Sequence, residues 1–221
     1  MAKPLVIFGV TDASELAHWY FTHESEREVA AFTLDRTFLQ VEQFQGLPAV
    51  PFEEVNERYP PEAFDMFIAL GYSKLNALRQ EKYVAAKAAG YRLASFISPR
   101  ASVLNNGVIG DNCFIFEDNT IQPFARIGNN VTLWSGNHIG HHSSIGDHSF
   151  VTSHVVVSGG VEIGERCFLG VNATLRDHIK IGDRCVIGAG ALLLADAEPD
   201  GVYLGNATER SRVPSSRLRS I

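Results

Sequence analysis

The chain has 221 residues, 45% of them hydrophobic, which is enough for one large domain or two small ones with a sizeable core. Its formal net charge of −6 argues against nucleic acid as the main partner. Three cysteines without C-x-x-C spacing disfavour a disulfide framework or a zinc finger and fit the reducing cytoplasm. The N-terminal apolar run is short, so we expect neither a signal peptide nor a membrane span.

The first part of the chain predicts alternating strands and helices. The expected strands cover residues 5–9, 28–34, 66–70 and 92–97, and the expected helices cover residues 13–21 and 75–89. Ser98-Pro99 then interrupts the pattern and marks a domain boundary. We therefore predict a small Rossmann-like α/β domain over residues 1–98 and a second domain over residues 99–221.

Ligands of parallel-sheet units bind at the carboxyl ends of the strands. At those ends we expect substrate contacts from Asp12, Ala13, Asp35, Arg36, Gly71 and Tyr72. The first loop reads GVTDAS and lacks G-x-G-x-x-G, which disfavours a dinucleotide and leaves room for a single nucleotide moiety. The alternative interpretation is that Asp12 and Asp35 only cap helices and turns.

An internal repeat with a period of six dominates the second part of the chain, from residue 103 to about residue 198. Every sixth residue is aliphatic, from Val103 and Ile109 through to Ile187 and Leu193, without an insertion or deletion. Glycine often follows the aliphatic residue, and the fifth position is mostly small. This pattern predicts a three-sided β-helix, with three hexads in each coil and coils stacked at about 4.8 Å.

All three cysteines, Cys113, Cys167 and Cys185, fall in the small inward slot of the repeat. Buried free cysteine behaves as a small apolar residue, so we interpret them as core residues and not as catalytic thiols.

Six of the eight histidines lie between residues 138 and 178. His141 and His142 fall on an outward corner, which carries Gly159-Gly160 one coil later and Asp177-His178 two coils later. We expect the glycines to leave a slot about 10 Å wide that admits a thin ligand. A neutral imidazole can remove a proton from an attacking amine, and a backbone N–H at a glycine corner can stabilise an oxyanion.

The motif I-G-x-x-[small]-x resembles the hexapeptide-repeat acyltransferase superfamily. Together with the short Rossmann-like unit and the segments IALGYSKLN, FISPRASV and CFLGVNATLRD, it resembles one subgroup closely. This is the sialic-acid O-acyltransferase and nucleotide-aminosugar N-acetyltransferase subgroup, which includes the bacillosamine- and perosamine-pathway enzymes. The chain departs from it at the GVTDAS loop and at Gly205-Asn206-Ala207, where the family has G-x-P-A.

The resemblance implies a left-handed β-helix and a homotrimer with active sites between subunits. It implies transfer of an acetyl group from acetyl-CoA, without a metal, to the amino group of a UDP-, dTDP- or GDP-linked 4-amino-deoxysugar. The N-terminal domain would bind the nucleotide, and the product would enter lipopolysaccharide, O-antigen or another glycan.

The resemblance also implies roles for individual residues. His141, in the hexad IGHHSS, matches the general base. The family often has an acidic residue next to that base; here either His142 or a carboxylate such as Asp147 would orient the ring. Acetyl-CoA would run between subunits, and the expected contacts are Gly159, Gly170, Gly188, Gly205 and, from the neighbouring subunit, His154. Asn137 and Trp134 would line the sugar pocket, although Trp134 could instead pack at the trimer interface, and basic residues of the tail from Arg210 to Arg219 would meet the CoA phosphates or remain solvated.

Three alternatives stay open at this point. The acceptor could be a sugar hydroxyl, which would make the protein an O-acetyltransferase. A γ-carbonic-anhydrase-like hydratase would use His142 and His178 on one edge, but its third ligand falls on Asp183, which is not a histidine. The chain could also be a non-catalytic scaffold with a ligand-sensing N-terminal domain.

Overall fold

The N-terminal region is a five-stranded sheet with helices packed on it. A computed structural model describes residues 2–210, 212 and 214–217 of the chain. The elements of this region are β1 (Leu5–Phe8), α1 (Asp12–Glu24), β2 (Val29–Leu34), β3 (Gln43–Phe44), β4 (Leu47–Pro51), α2 (Val55–Arg58), β5 (Asp65–Ile68) and α3 (Ala77–Ala88). The strand order is β3-β4-β2-β1-β5, and all pairs are parallel except β3 with β4. The parallel centre confirms the Rossmann-like prediction.

Residues 96–203 form the β-helix that the six-residue period predicts. Its strands are β6 (Phe96–Ile97), β7 (Ser102–Val103), β8 (Phe114–Ile115), β9 (Thr120–Ile121), β10 (Arg126–Ile127), β11 (Thr132–Leu133), β12 (His138–Ile139), β13 (Ser144–Ile145), β14 (Phe150–Val151), β15 (Val156–Val157), β16 (Glu162–Ile163), β17 (Phe168–Leu169), β18 (Thr174–Leu175), β19 (Lys180–Ile181), β20 (Val186–Ile187), β21 (Leu192–Leu193) and β22 (Val202–Tyr203). Strands one coil apart pair in parallel, as Thr132 does with Phe150 and His138 with Val156. The left-handed β-helix is therefore confirmed.

The β-helix has three faces and three corners. Face I contains β6, β8, β11, β14, β17, β20 and β22; face II contains β7, β9, β12, β15, β18 and β21; face III contains β10, β13, β16 and β19. We call the corner between faces I and II corner A (for example residues 134–136), that between II and III corner B (residues 140–142), and that between III and I corner C (residues 146–148). Each corner turns at a residue with positive φ, where Asn, Asp, His and Gly are enriched.

The inward residues of the β-helix form one continuous core. The repeated aliphatic residues fill it together with Cys113, Cys167 and Cys185, whose side chains are fully buried. Burial raises the pKa of the Cys113 and Cys167 thiols to about 12, which keeps them protonated. The structure thus bears out their interpretation as small core residues. In the last coil Val186 pairs with Val202 and not with Leu204, so the regular repeat ends there.

Two local predictions for the N-terminal region need correction, and one hairpin was missed. The strand expected over residues 92–97 is divided, because Leu93 bridges to Met66 while Phe96–Ile97 pairs with β8 of the β-helix. The helix expected from residue 75 begins at Ala77, because residues 74–76 all have positive φ. The β3–β4 hairpin was not predicted; its tight turn contains Gly46 at φ +77°.

A buried guanidinium is one of several polar links between the N-terminal region and the β-helix. Arg79 of α3 is 1% exposed and donates to the backbone carbonyls of Asn130, His148 (2.8 Å) and Ser149 (3.2 Å) at corner C and face I. It also donates to Asn76 Oδ1 at 3.0 Å. Burial lowers the pKa of Arg79 to about 9, so the side chain remains charged at neutral pH. Among the described residues, backbone carbonyls balance this charge and no carboxylate pairs with it.

Candidate active site

His141 and His142 lie side by side on corner B with both side chains exposed. Their Nδ1 atoms are 3.1 Å apart, so one nitrogen donates to the other. The backbone N–H of His141 donates to Gln122 Oε1 at 2.9 Å, and the His142 ring packs on Phe124 with ring centres 4.6 Å apart. This arrangement holds His141 in position, and its Nε2 makes no hydrogen bond to any residue that the structure describes.

Gly159-Gly160 lies next to His141 on corner B, as the coil repeat predicts. The backbone N–H of Gly160 donates to the carbonyl of His141 at 2.8 Å, and that of His178 donates to the carbonyl of Gly159 at 3.0 Å. The slot itself is not bare, because the His141 ring lies over Gly159: a Cβ there would be 2.6 Å from His141 Cε1. The His178 ring lies over Gly160 in the same way. The absence of side chains at Gly159 and Gly160 therefore makes room for the imidazole rings of His141 and His178.

Several of the clustered histidines have a backbone reason for their positions. His142, His148, His154 and His178 all occupy the corner residue with φ between 57° and 63°. Histidine tolerates that conformation better than most residues, so their recurrence partly reflects the corners of the fold. His141 precedes this position and His138 lies in β12, so the corner conformation does not explain these two members of the cluster.

The residues expected to contact acetyl-CoA occupy two different corners of the single chain. Gly170, Gly188 and Gly205 lie together on corner A, where each packs closely against the neighbouring coil. His154 also lies on corner A, with its ring over Gly136. Gly159 lies with His141 on corner B. Face II separates the two groups, so one chain alone does not bring them together.

Two sequence-based expectations near His141 do not fit the geometry. Asp147 lies on corner C, where its carboxylate accepts from the backbone N–H of Asn129 at 2.7 Å and from Asn129 Nδ2 at 3.1 Å. It therefore does not orient His141. Asn137 is 1% exposed and points inward; its amide donates to the carbonyl of Trp134, and its Oδ1 accepts from the backbone N–H of Val155 at 2.8 Å. Its polar atoms already serve the β-helix backbone, so it does not line a sugar pocket.

Asp35 and Arg36 at the end of β2 are both engaged in ion pairs. Asp35 lies 2.8 Å from the ammonium of Lys82, and Arg36 pairs with Glu54. Partial burial disfavours the lysine charge, yet the hydrogen bond to Asp35 keeps the pKa of Lys82 above its ordinary value. A nucleotide that used Asp35 would have to compete with this pair.

The remaining predicted nucleotide contacts meet at a cavity between the N-terminal region and face I. This junction cavity has a volume of about 220 Å³. Asp12 and Ala13 of α1 and Gly71 and Tyr72 after β5 line it, together with the mostly apolar residues Leu16, Phe67, Ile68, Ala69, Leu70, Asn112, Phe114, Phe116, Thr132, Trp134 and Phe150. Trp134 stacks on Phe116 with ring centres 4.8 Å apart.

The face I aromatics of this cavity were not identified from the sequence, although a signal was present. Phe114 and Phe150 of the cavity occupy the outward strand position of face I, as do Phe96 and Phe168 outside the cavity, and the four recur one or two coils apart where solvent would favour polar side chains. Gln122 and Phe124, which hold the histidine pair, lie one coil before it. Their role follows from the same coil repeat.

Within residues 2–210, 212 and 214–217, no group of three or more His, Cys, Asp or Glu side chains is arranged to hold a metal ion. Over the same residues, no helix combines the length and the apolar character needed to cross a membrane. Of the tail arginines, Arg219 lies outside the described residues.

Comparison with known proteins agrees with this architecture. Residues 124–159 and 160–195 match the family described as bacterial transferase hexapeptide (six repeats). No curated protein sequence matches the chain.

Similar solved structures cover both regions of the chain. An asparagine variant of perosamine N-acetyltransferase from Caulobacter crescentus, in complex with CoA and GDP-perosamine, has a TM-score of 0.82 at 23% identity over 91% of this chain and 93% of its own. The acetyltransferase domain of PglB from Neisseria gonorrhoeae, in complex with acetyl coenzyme A, has a TM-score of 0.82 at 20% identity over 93% and 97%. WeeI from Acinetobacter baumannii AYE has a TM-score of 0.76 at 17% identity over 91% and 96%.

These comparisons establish two points. Residues 124–195 match the bacterial transferase hexapeptide model, in agreement with the resemblance of the sequence. The whole chain, and not the β-helix alone, shares the fold of this group of proteins.

Proposed function

We propose that this chain, a hexapeptide-repeat protein with a Rossmann-like N-terminal region, transfers an acetyl group from acetyl-CoA to the amino group of a nucleotide-linked 4-amino-deoxysugar. The observation that carries the proposal is the His141–His142 pair, exposed on corner B with His141 against Gly159. Similar structures hold CoA or acetyl coenzyme A, and the perosamine enzyme also holds GDP-perosamine. Their common fold supports the same reaction class here.

His141 acts as the general base in this proposal. When its Nδ1–H donates to His142 Nδ1, the Nε2 atom of His141 keeps its lone pair and can take a proton from the attacking amine. His142 therefore selects the tautomer of His141 and is a positioning residue. Two of the similar structures are variants of the perosamine enzyme in which a histidine is replaced by asparagine or alanine. These replacements support a functional role for a histidine in that enzyme.

The second requirement of acyl transfer is stabilisation of the tetrahedral oxyanion. The backbone N–H of Gly159 lies at the corner over which the His141 ring packs. A backbone donor fixed by the stacked coils needs no reorganisation as charge develops on the thioester oxygen. We assign this role to Gly159, and CoA leaves as the free thiol.

A trimer would join the two separate groups of cofactor contacts. Face II lies between corner A and corner B, and it exposes Val156 and Leu192, which are 38% and 63% accessible. If three copies place face II toward a threefold axis, corner A of one copy meets corner B of the next. His141 and Gly159 of one subunit would then face His154, Gly170, Gly188 and Gly205 of its neighbour. Acetyl-CoA would lie along this seam.

The experiment that tests the function is a thiol-release assay. Purified protein is incubated with acetyl-CoA and UDP-, dTDP- and GDP-linked 4-amino-deoxysugars, each paired with its 4-hydroxy counterpart. We expect release with at least one amino sugar, and we expect His141→Ala to lower kcat by about 10²–10⁴. Replacement of His23, exposed on α1, by alanine is the matched control and should leave kcat unchanged.

Three outcomes would contradict the proposal. Near-normal turnover of the His141→Ala variant would remove this residue as the base. Release only with the 4-hydroxy sugars would identify O-acetylation, and no release with any sugar would remove the acetyltransferase assignment.

A further inference from the structure

Phe124, which lies one coil before His142 on corner B, combines an unfavourable backbone conformation with an exposed apolar side chain. Its φ of +65° falls in the left-handed region, where a bulky residue is a genuine outlier. The other non-glycine residues with positive φ in residues 96–203 are all Asn, Asp, His or Arg. Phe124 is also 64% exposed, so burial of its ring does little to offset the strain. Strain of this kind, retained outside the core, points to a functional role.

The ring of Phe124 packs on the ring of His142. The two ring centres are 4.6 Å apart, and the ring planes are inclined by 35°. One coil after His142, the same corner position carries Gly160, which has no side chain to support the His142 ring, and the ring over Gly160 is that of His178. Within this row of corner B, Phe124 is therefore the neighbour whose side chain supports His142.

The orientation of the His142 ring matters because its Nδ1 atom faces His141. The two Nδ1 atoms are 3.1 Å apart, and the ring planes are nearly perpendicular, at 84°. In the proposed mechanism, His142 accepts the Nδ1–H of His141 and thereby determines which nitrogen of His141 keeps its lone pair. Neutral imidazole in water favours the other tautomer, with its proton on Nε2. An exposed ring without support changes rotamer within picoseconds to nanoseconds, so this hydrogen bond requires a His142 ring that is held in place.

We propose that Phe124 is a positioning residue for the general base. Its ring holds the His142 ring with Nδ1 toward His141, and this arrangement keeps the proton of His141 on Nδ1. The inference rests on the proposed function, because it assigns a further residue to the same base. The strained backbone of residue 124 places a flat ring beside His142, which an asparagine in the same conformation would not do.

Phe124 also borders an open cleft on face III, which offers a different role for its ring. The cleft has a volume of about 490 Å³, and Arg126, Ser144 and Glu162 line it together with Phe124 and His142. A sugar bound in this cleft would contact Phe124 directly. Direct contact would not depend on His142, whereas positioning would, so removal of the His142 ring separates the two roles.

The first test measures the tautomer of His141 without any substrate. The full-length protein is labelled with nitrogen-15 in its histidine rings and studied by NMR at about pH 8.5, well above the ordinary pKa of imidazole. We expect His141 of the unmodified protein to carry its proton on Nδ1, and we expect Phe124→Asn to shift it toward the Nε2–H tautomer. Phe124→Tyr retains the ring and should retain the Nδ1–H tautomer. Loss of signals in His141→Ala identifies those of His141.

The second test compares stability with turnover. Asparagine suits the positive φ of residue 124, so we expect the thermal midpoint of Phe124→Asn to lie no more than about 2 °C below that of the unmodified protein. We expect kcat to fall about fivefold and KM for acetyl-CoA to change less than about twofold. Phe124→Tyr should restore kcat to within about twofold of the unmodified protein.

Two further variants complete the design. Arg184→Asn, the matched control, replaces a bulky residue at φ +57° on corner C and should leave both kcat and the tautomer of His141 unchanged. In His142→Gly there is no ring for Phe124 to hold. Addition of Phe124→Asn to that variant should therefore lower kcat by less than about 1.5-fold.

Four results would overturn the inference. Phe124→Asn could keep the kcat of the unmodified protein, or keep His141 in the Nδ1–H tautomer. A thermal midpoint lowered by more than about 5 °C would make the role of Phe124 structural. An equal loss of kcat with and without the His142 ring would show direct contact with the sugar.

These failures are distinct from failure of the proposed function. Thiol release with an amino sugar, together with an unchanged tautomer in Phe124→Asn, would refute the role of Phe124 alone. The expected change of tautomer, without thiol release from any sugar, would refute the acetyltransferase assignment and leave Phe124 as the residue that orients His142.

Discussion

The junction at Arg79 and the corner at His141 use the same β-helix in opposite ways. Arg79 is buried, and backbone carbonyls of consecutive coils surround its guanidinium. His141 is exposed, and it is held by one ring-to-ring hydrogen bond and by two backbone bonds, one to Gln122 and one from Gly160. The junction uses its hydrogen bonds to keep two regions together, whereas the corner leaves a reactive nitrogen without a protein partner among the described residues. The difference indicates where substitutions should affect stability and where they should affect turnover.

The largest effect is expected at the junction. Arg79→Met keeps a long apolar stem but leaves the carbonyls of Asn130, His148 and Ser149 without their donor. We expect the free energy of unfolding to fall by about 3–5 kcal/mol, because several buried acceptors of a charged donor lose their bonds together. Chemical denaturation at a fixed protein concentration measures this change.

The matched control for Arg79 is Arg166, which reaches the same junction from the β-helix. Its Nε donates to the carbonyl of Leu75 at 3.4 Å, and the side chain is only partly buried. Arg166→Met should cost less than about 1 kcal/mol. If Arg166→Met or His141→Ala lowers the free energy of unfolding as much as Arg79→Met does, the proposed distinction between the junction and the corner is wrong.

The sequence predicted the β-helix and its corner more fully than the N-terminal region. In the repeat, the position of a residue within its hexad determines whether it points inward, outward or into a turn. The adjacency of His141 and Gly159 therefore followed from the coil repeat alone. Asp147 has a suitable charge, but its position in the hexad places it on corner C, away from His141. Asn137 occupies an inward position of its hexad, so the repeat itself predicts that its side chain is buried.

The N-terminal region has no such period, and its partners come from distant parts of the chain. Nothing local to Arg79 shows that its acceptors are the carbonyls of residues far along the β-helix. Likewise, the pairing of Asp35 with Lys82 depends on how α3 crosses the sheet. The positive φ values of residues 74–76 also follow from this docking, which local helix propensity cannot anticipate.

A smaller effect, on turnover, is expected at the corner, where His142 accepts from His141 Nδ1 in the proposed mechanism. His142→Asn keeps an acceptor and suits the φ of +58° at this corner, whereas His142→Gly suits the same φ and has no acceptor. We expect kcat/KM to fall by less than about threefold in His142→Asn and by about tenfold or more in His142→Gly. Equal losses in the two variants would show that His142 does not set the tautomer of His141.

The smallest effect is expected at His148, the corner histidine that belongs to the junction. Asn130 Oδ1 accepts from Asn112 Nδ2 at 2.8 Å, so its Nδ2 faces His148 Nδ1, 2.9 Å away, and the ring accepts as a neutral group. Burial lowers the pKa of His148 below its ordinary value, and the nearby positive charge of Arg79 acts in the same direction. Because the folded-state pKa is the lower one, the stabilisation from His148 is fully present above the unfolded-state pKa of about 6.5 and is lost as the pH falls through the folded-state pKa.

His148→Asn tests this because asparagine suits the φ of +63° and does not titrate. We expect the thermal midpoint of the unmodified protein to fall more between about pH 7.5 and about pH 5 than that of the variant, at equal protein concentration. His23→Asn removes an exposed histidine instead and should retain the pH dependence of the unmodified protein. If His148→Asn also retains the pH dependence of the unmodified protein, protonation of the buried ring is not coupled to unfolding, and His148 contributes no more to the pH dependence of stability than an exposed histidine does.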